Sequence, residues 1–197
     1  MADYRQINHS ELDLILDCLR QTLAIDGDVV EFGCYAGDTS VELASVIKNS
    51  PDKWLWLYDS FEGLPEKSEA DLSTLGWRFK EGELKVSEST IEHKFKKLSL
   101  PDPVVKKAWF NQLDPKVDLP NHISFALLDG DFYDSIKTSL NLVFPKMSQR
   151  SIIVVHDYHN PALPGSAKAV DEFINFHRNL IFRVQGNLAV IEFPANY

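Results

Sequence analysis

Cysteine is almost missing from this chain: among 197 residues there are only Cys18 and Cys34. Two cysteines at this separation give neither a metal-binding spacing nor a disulfide framework. Cys18 falls on the apolar side of a helical pattern and Cys34 in a glycine turn, so both read as reduced thiols of a cytoplasmic protein. Positive charge is also in deficit, with 20 Lys and Arg against 29 Asp and Glu, a net charge of −9. Nucleic acid and anionic membranes would both repel such a chain. The basic stretch KKLSLPDPVVKK reads as a solvated helix end and strand entry. No apolar run approaches the roughly 20 residues that span a bilayer. The opening MADYRQINHSELD has no apolar segment of a secretory leader. The nucleophile pattern G-x-S-x-G of hydrolases is missing, as are internal repeats and low-complexity tracts.

What remains is a globular composition, 44% hydrophobic and 25% charged, with the length of one domain, residues 1–197. A helix is signalled by Ser10 with Asp13 three residues on, followed by spaced Leu12, Ile15, Leu16, Leu19 and Leu23. Strands are expected at Val29 to Phe32, in WLWLYD, at Val104-Val105, in ISFALL and in SIIVV. Helices are expected from Asp38 to the Pro51 turn, from Glu88 to Leu98, in YDSIKTSLNLVFPKM and in AKAVDEFINFHRNL. FRVQGNLAVIEF closes the chain as a hairpin around Gly186-Asn187. Strand and helix alternate, so the fold class is α/β. The sheet is mostly parallel and seven-stranded, with a C-terminal antiparallel hairpin, helices on both faces and a cleft at the strands' carboxyl ends. Residues 60–87 mix charge, glycine and scattered aromatics without a period, which predicts a lid centred on Trp77-Arg78-Phe79.

The stretch VVEFGCYAGDTS carries Gly33 and Gly37, but Tyr35 stands where a dinucleotide fingerprint has its middle glycine. Glu31 would face any phosphate held there. Two like charges about 4 Å apart repel by about 4 kcal/mol at an effective dielectric of 20. The turn therefore favours a cation. Asp59, Asp129, Asp131 and Asp157 also stand at or just after strand ends, and a parallel sheet gathers them with Glu31 along one rim. S-adenosylmethionine suits such a rim, because it carries a sulfonium, an ammonium and ribose hydroxyls and has no phosphate. Asp59, at the tip of the second strand, is where a ribose acceptor sits in doubly wound folds.

VEFGCYAGDTS resembles the first motif of Rossmann-like S-adenosylmethionine-dependent methyltransferases. YDSFEGLPE, AWF, LLDGDFYDS and VVHDY…AVDEF are similar, more narrowly, to the macrocin O-methyltransferase family, over Val29 to Phe193. The resemblance implies a Rossmann-like methyltransferase fold and transfer of a methyl group to a hydroxyl of a small molecule, such as a sugar or a glycosylated natural product. It implies that Glu31, Gly33, Tyr35, Gly37 and Ser40 surround the methionine end of the cofactor. Asp59, with Ser60 and Phe61, takes the ribose; Ala108 and Trp109 border the adenine; Asp129 adjoins the cofactor. It also implies a homodimer and a magnesium ion or another divalent metal on Asp129, His156 and Asp157. Here the chain departs from the family, which has Asp where His156 stands; imidazole suits softer metals than magnesium, so the site either holds its ion through Asp129, Asp157 and Asp131 or has lost metal dependence. His156, Asp131 and Asp129 are the candidate catalytic residues, His156 as a base at a strand tip. The alternatives are a nicotinamide-dependent oxidoreductase and a non-catalytic Rossmann-like binding protein.

Overall fold

Short buried runs of branched and aromatic residues make the strands. β1 (Asp28–Phe32), β2 (Leu55–Asp59), β3 (Val104–Lys107), β4 (Ile123–Leu128), β5 (Met147–Val155), β6 (Ile181–Gln185) and β7 (Leu188–Glu192) form one sheet in the order β3-β2-β1-β4-β5-β7-β6. The computed structural model describes residues 7–75 and 77–196; residues 1–6, Gly76 and Tyr197 of the expected 1–197 domain lie outside the described residues. Pairing is parallel from β3 through β5. β7 runs antiparallel to both β5 and β6, as the terminal hairpin requires.

Five α-helices flank this sheet among the described residues: α1 (His9–Gln21), α2 (Asp38–Ile47), α3 (Ser89–Leu98), α4 (Tyr133–Val143) and α5 (Pro164–Phe176). Alternation along each strand sends neighbouring side chains to opposite faces. Val29 packs with Ile15, Leu43 and Phe95 of α1, α2 and α3, whereas Val30 and Phe32 pack with Ile136, Leu140 and Val170 of α4 and α5. Glu31 has the parity of Val29, which directs its carboxyl toward α2.

Topology places the cleft. From β1 the chain steps outward through β2 to β3, then crosses back to β4 on the other side of β1. Crossovers therefore diverge at the β1/β4 boundary and leave a crevice at the strands' carboxyl ends.

Several boundaries differ from the sequence-based expectation: α2 ends at Ile47, α4 at Val143 and α5 at Phe176, each short of the expected end, and three starts differ as well. The cap of α1 is Asn8, whose side chain accepts from the Glu11 amide at 3.0 Å while the Glu11 carboxyl faces the Asn8 amide, and not the Ser10/Asp13 pair. β5 starts at Met147, because Met147 pairs with Ile123 across a register shift even though Gln149 and Arg150 are exposed. α5 starts at Pro164, a residue that fits the first helical turn since its missing N–H has no partner to lose there.

Among the described residues of 60–87 the regular structure is one short 3-10 helix, Glu69–Asp71, yet the segment is anchored. The Leu64 amide donates to the Glu83 carbonyl at 2.7 Å and the Gly82 amide to the Leu64 carbonyl at 2.9 Å. Leu64 packs with Phe132 and Leu163, with Phe79 and Leu84 against them. Buried Asp71 accepts from the Tyr133 amide, the first of α4, at 2.7 Å.

Candidate active site at the carboxyl edge of the sheet

The β1 turn and the β4 turn meet through Gly33. At φ +86°, a Cβ on Gly33 would lie 2.1 Å from the Asp129 carbonyl oxygen, so only glycine lets the two loops touch. Gly37, also left-handed at φ +79°, caps α2 and faces Ile91 of α3. Around this junction lies an open cleft of about 1010 Å³. Glu31, Gly33, Tyr35, Asp59, Ser60, Trp109, Asp129 and Asp131 line it.

Four of the five predicted strand-end acids thus share one wall, and the fifth, Asp157, adjoins it. Glu31 is fully buried and accepts from Ser40 Oγ at 2.5 Å. Burial pushes its pKa up to about 8, the Ser40 bond opposing and the charges of Asp129 and Asp59 adding. Asp59 spans two loops: one carboxylate oxygen accepts from the Tyr35 amide at 2.9 Å, the other from the Phe61 amide at 2.7 Å. Tyr35 and Phe61 both have positive φ, 44° and 57°, a strained geometry that these bonds hold in place. Burial raises the Asp59 pKa against those amide bonds.

Across the cleft, His156 ends β5 and is buried. Its Nδ1 lies 2.9 Å from Asp129 Oδ1 and 3.2 Å from Asp157 Oδ2, while Nε2 lies 3.4 Å from Glu11 Oε2. Burial alone would depress the imidazole pKa, but the Asp129 charge and the bonds to Asp129, Asp157 and Glu11 outweigh it and hold it well above the usual range. Asp157 Oδ1 accepts from Asn160 Nδ2 and Asn187 Nδ2, both at 2.9 Å. Those bonds and the His156 ring keep its carboxyl below the usual range despite burial. Asp131 is the reverse: burial and the negative charges of Asp129 and Asp157 drive its pKa well up. Asp129, His156 and Asp157 each offer one ligand atom, all within 4.8 Å of one another, a set that could hold a metal ion.

Not every predicted residue reaches the cleft. Gly37, Ser40, Phe61, Ala108, His156 and Asp157 stand behind its wall; Ser40 acts on it through Glu31. Trp77, Arg78 and Phe79 also lie off the lining, Trp77 being 69% exposed and the Arg78 guanidinium 5.7 and 5.8 Å from the Trp77 and Phe79 ring centroids. Residues that the sequence reading passed over do line it: Ile7 and Leu12 from the start of α1, Asp38 and Thr39 from α2, Gly63 to Pro65, Leu84 and Ser135. The FEGLP motif was a legible signal for 63–65. Nothing local marked Ile7 or Glu11, which come to β5 only through the packing of α1.

The family model for macrocin-O-methyltransferase (TylF) matches residues 2–186. Demethyldecarbamoylnovobiocin O-methyltransferase of Streptomyces niveus is 26% identical over 179 residues, 86% of this chain and 67% of that protein. A tetracenomycin-rhamnosyl 4′-O-methyltransferase of Streptomyces olivaceus is 27% identical over 165 residues, 79% of this chain and 62% of that protein. The chain thus spans about two thirds of the length of these relatives. The structure of the O-methyltransferase NovP superposes with a TM-score of 0.82 at 24% identity, covering 97% of this chain and 82% of that one. A fold of this order with its glycine turn, its acidic cleft and a family match over nearly the whole sequence leads to one conclusion: the chain belongs to the macrocin-O-methyltransferase (TylF) family of S-adenosylmethionine-dependent O-methyltransferases.

Proposed function

We propose that this chain methylates a hydroxyl group of a sugar or glycosylated natural product. One observation carries the proposal: Glu31, Asp59, Asp129 and Asp131 line a single cleft, and among the described residues no Lys or Arg lines it with them. That wall is matched to the sulfonium and ammonium of S-adenosylmethionine, the methyl donor consumed in the reaction. Relatives support the acceptor class, since those of known name act on novobiocin, rhamnosyl-tetracenomycin and mycinamicin compounds. A nicotinamide cofactor's pyrophosphate would meet the Tyr35 side chain where a dinucleotide turn has its middle glycine.

In the reaction the carbon–sulfur bond of the donor breaks as a carbon–oxygen bond forms to the acceptor, and the hydroxyl proton must leave. The β1 turn holds the donor: Glu31 faces its positive charge and Asp59 keeps acceptor capacity for ribose hydroxyls beyond its two amide bonds. Holding two reactants in line supplies most of the rate enhancement in such a displacement. Asp131 takes the hydroxyl proton. Beside the positive charge of the bound donor its ionised form is favoured, and a carboxylate of raised proton affinity is then the stronger base. His156 is poorly placed for that role, as both ring nitrogens already face carboxylates.

The donor set Asp129, His156 and Asp157 fits a divalent ion, two carboxylates and one imidazole on converging atoms. Such an ion, when bound, lowers the pKa of an acceptor hydroxyl and fixes its direction. The test is incubation of the purified chain with S-adenosylmethionine and glycosides bearing free sugar hydroxyls. A product heavier by one methyl on a sugar oxygen, with release of S-adenosylhomocysteine, is expected. Donor binding with methylation of phenols only would overturn the sugar assignment.

A further inference from the structure

We propose that Glu11 is a positioning residue for His156, and that the pair makes the Asp129–His156–Asp157 cluster select a first-row transition-metal ion over magnesium. The inference rests on the reading that these three residues hold a divalent ion, and it concerns a residue 145 positions away in sequence from the histidine it serves.

Two of the three donors in the cluster have their outward valence filled by another side chain. Asp157 Oδ1 is taken by Asn160 and Asn187. His156 Nε2 is faced by Glu11 Oε2 at 3.4 Å. The atoms left over, Nδ1 of His156, Oδ1 of Asp129 and Oδ2 of Asp157, face one another at 2.9 and 3.2 Å from Nδ1. A carboxylate on the far nitrogen of a ligating histidine fixes the tautomer, turns the ring and raises its basicity. Glu11 is itself fixed. It completes the capping box of α1 with Asn8, and α1 is held on the sheet by buried Leu12, Ile15, Leu16, Cys18 and Leu19. The ring is buried, and its backbone is pinned by the His156 amide on the Leu128 carbonyl at 3.0 Å and by Ser166 Oγ on the His156 carbonyl at 2.9 Å.

Ligand chemistry then sets the preference. Magnesium demands oxygen donors in near-ideal octahedral geometry and gives up its waters reluctantly. An imidazole in the set favours manganese, iron, cobalt or zinc, whose affinities for nitrogen donors are higher.

Calorimetry with Mn²⁺ and with Mg²⁺ on the metal-stripped full chain, together with Co²⁺ absorption spectra, tests this without any turnover. Wild type should bind Mn²⁺ about tenfold or more tightly than Mg²⁺ and develop visible Co²⁺ bands. His156→Asp should remove that difference. Glu11→Gln should weaken Mn²⁺ binding by roughly 10- to 100-fold, the usual effect of losing an outer carboxylate. Asn8→Ala, which breaks the same helix cap but spares Glu11, should lower the melting temperature and leave the ion preference alone. S-adenosylmethionine affinity, measured alongside, separates the two readings: if it persists while the Mn²⁺ preference is missing, only this inference falls. Equal Mn²⁺ and Mg²⁺ affinity in wild type would overturn it. So would failure of any ion to bind, which would mean that a ring proton fills the gap, or an unchanged Mn²⁺ affinity in Glu11→Gln.

Discussion

The two ends of the cleft treat negative charge in opposite ways. At the β1/β2 end, Glu31 and Asp59 are buried or partly buried with no cation beside them among the described residues, and burial drives both pKa values up. At the β4/β5 end, the His156 ring stands among Asp129, Asp157 and Glu11, and both Asp157 and Glu11 are held below their usual values by their bonds to it. One end is left short of a positive charge that a ligand can bring. The other carries its own basic group, a nitrogen that either keeps a proton or yields the position to a metal ion. Asp131 sits between them: burial and the charges of Asp129 and Asp157 raise its pKa, and the His156 ring offsets them only in part.

Substitution on the two sides should therefore give different kinetic signatures. The largest effect is expected for Asp131→Asn, which removes the proposed proton acceptor: kcat should fall by about 10²- to 10⁴-fold with donor affinity little changed. Equal losses in kcat and donor affinity would place Asp131 on the binding side instead. Next comes Asp59→Ala, where two amide bonds to a charged acceptor are lost along with the ribose contact. Donor binding by calorimetry should weaken by roughly 100-fold, about 3 kcal/mol, while the Mn²⁺ affinity of the opposite end stays near wild type.

A smaller, pH-dependent effect belongs to Glu31. Its folded pKa of about 8 lies above the ordinary 4.5, so in the free protein the group is protonated at neutral pH. A cation beside it favours the ionised form, so donor binding below pH 8 releases a proton. Affinity should then rise with pH, by at most about tenfold per unit, and level off above pH 8; Glu31→Gln should flatten the profile. The stability of the free protein has the opposite slope. A raised acid pKa means that the folded state binds more protons, so this group's contribution falls as pH climbs from about 4.5 to 8. The smallest effect is expected for Asn8→Ala, about 1 kcal/mol of stability from the lost cap, read as a lower melting temperature.

The sheet was legible because its strands are short and nearly continuous in apolar character, and because acids stand at their tips. ISFALL and SIIVV could hardly be read otherwise, and Gly186 at φ +61° makes the hairpin turn that its Gly-Asn pair suggested. Local signals failed where two patterns competed. The run NHSELD offers more than one capping residue, and only the depth at which α1 packs selects Asn8 with Glu11. Met147 was expected to end the helix YDSIKTSLNLVFPKM, yet its pairing with Ile123 draws it into the sheet. Aromatic content was a poor guide to the cleft: Trp77 and Phe79 caught the eye, whereas Leu64, Pro65 and Leu84 do the lining. Glu11 was out of reach for a simpler reason, since no periodicity links it to His156 across 145 residues.

Asp71 closes a mechanical loop between specificity and chemistry. Its carboxyl occupies the space that a side chain on Gly165 would take, with Oδ1 1.8 Å from where that Cβ would stand, and from there it holds the leading amide of α4, two residues after Asp131. Any outward swing of the Glu69–Asp71 turn must strip a helix of its N-terminal anion. The Glu69–Asp71 turn is thereby geared to the backbone two residues beyond Asp131, and a change that opens the one would slacken the other.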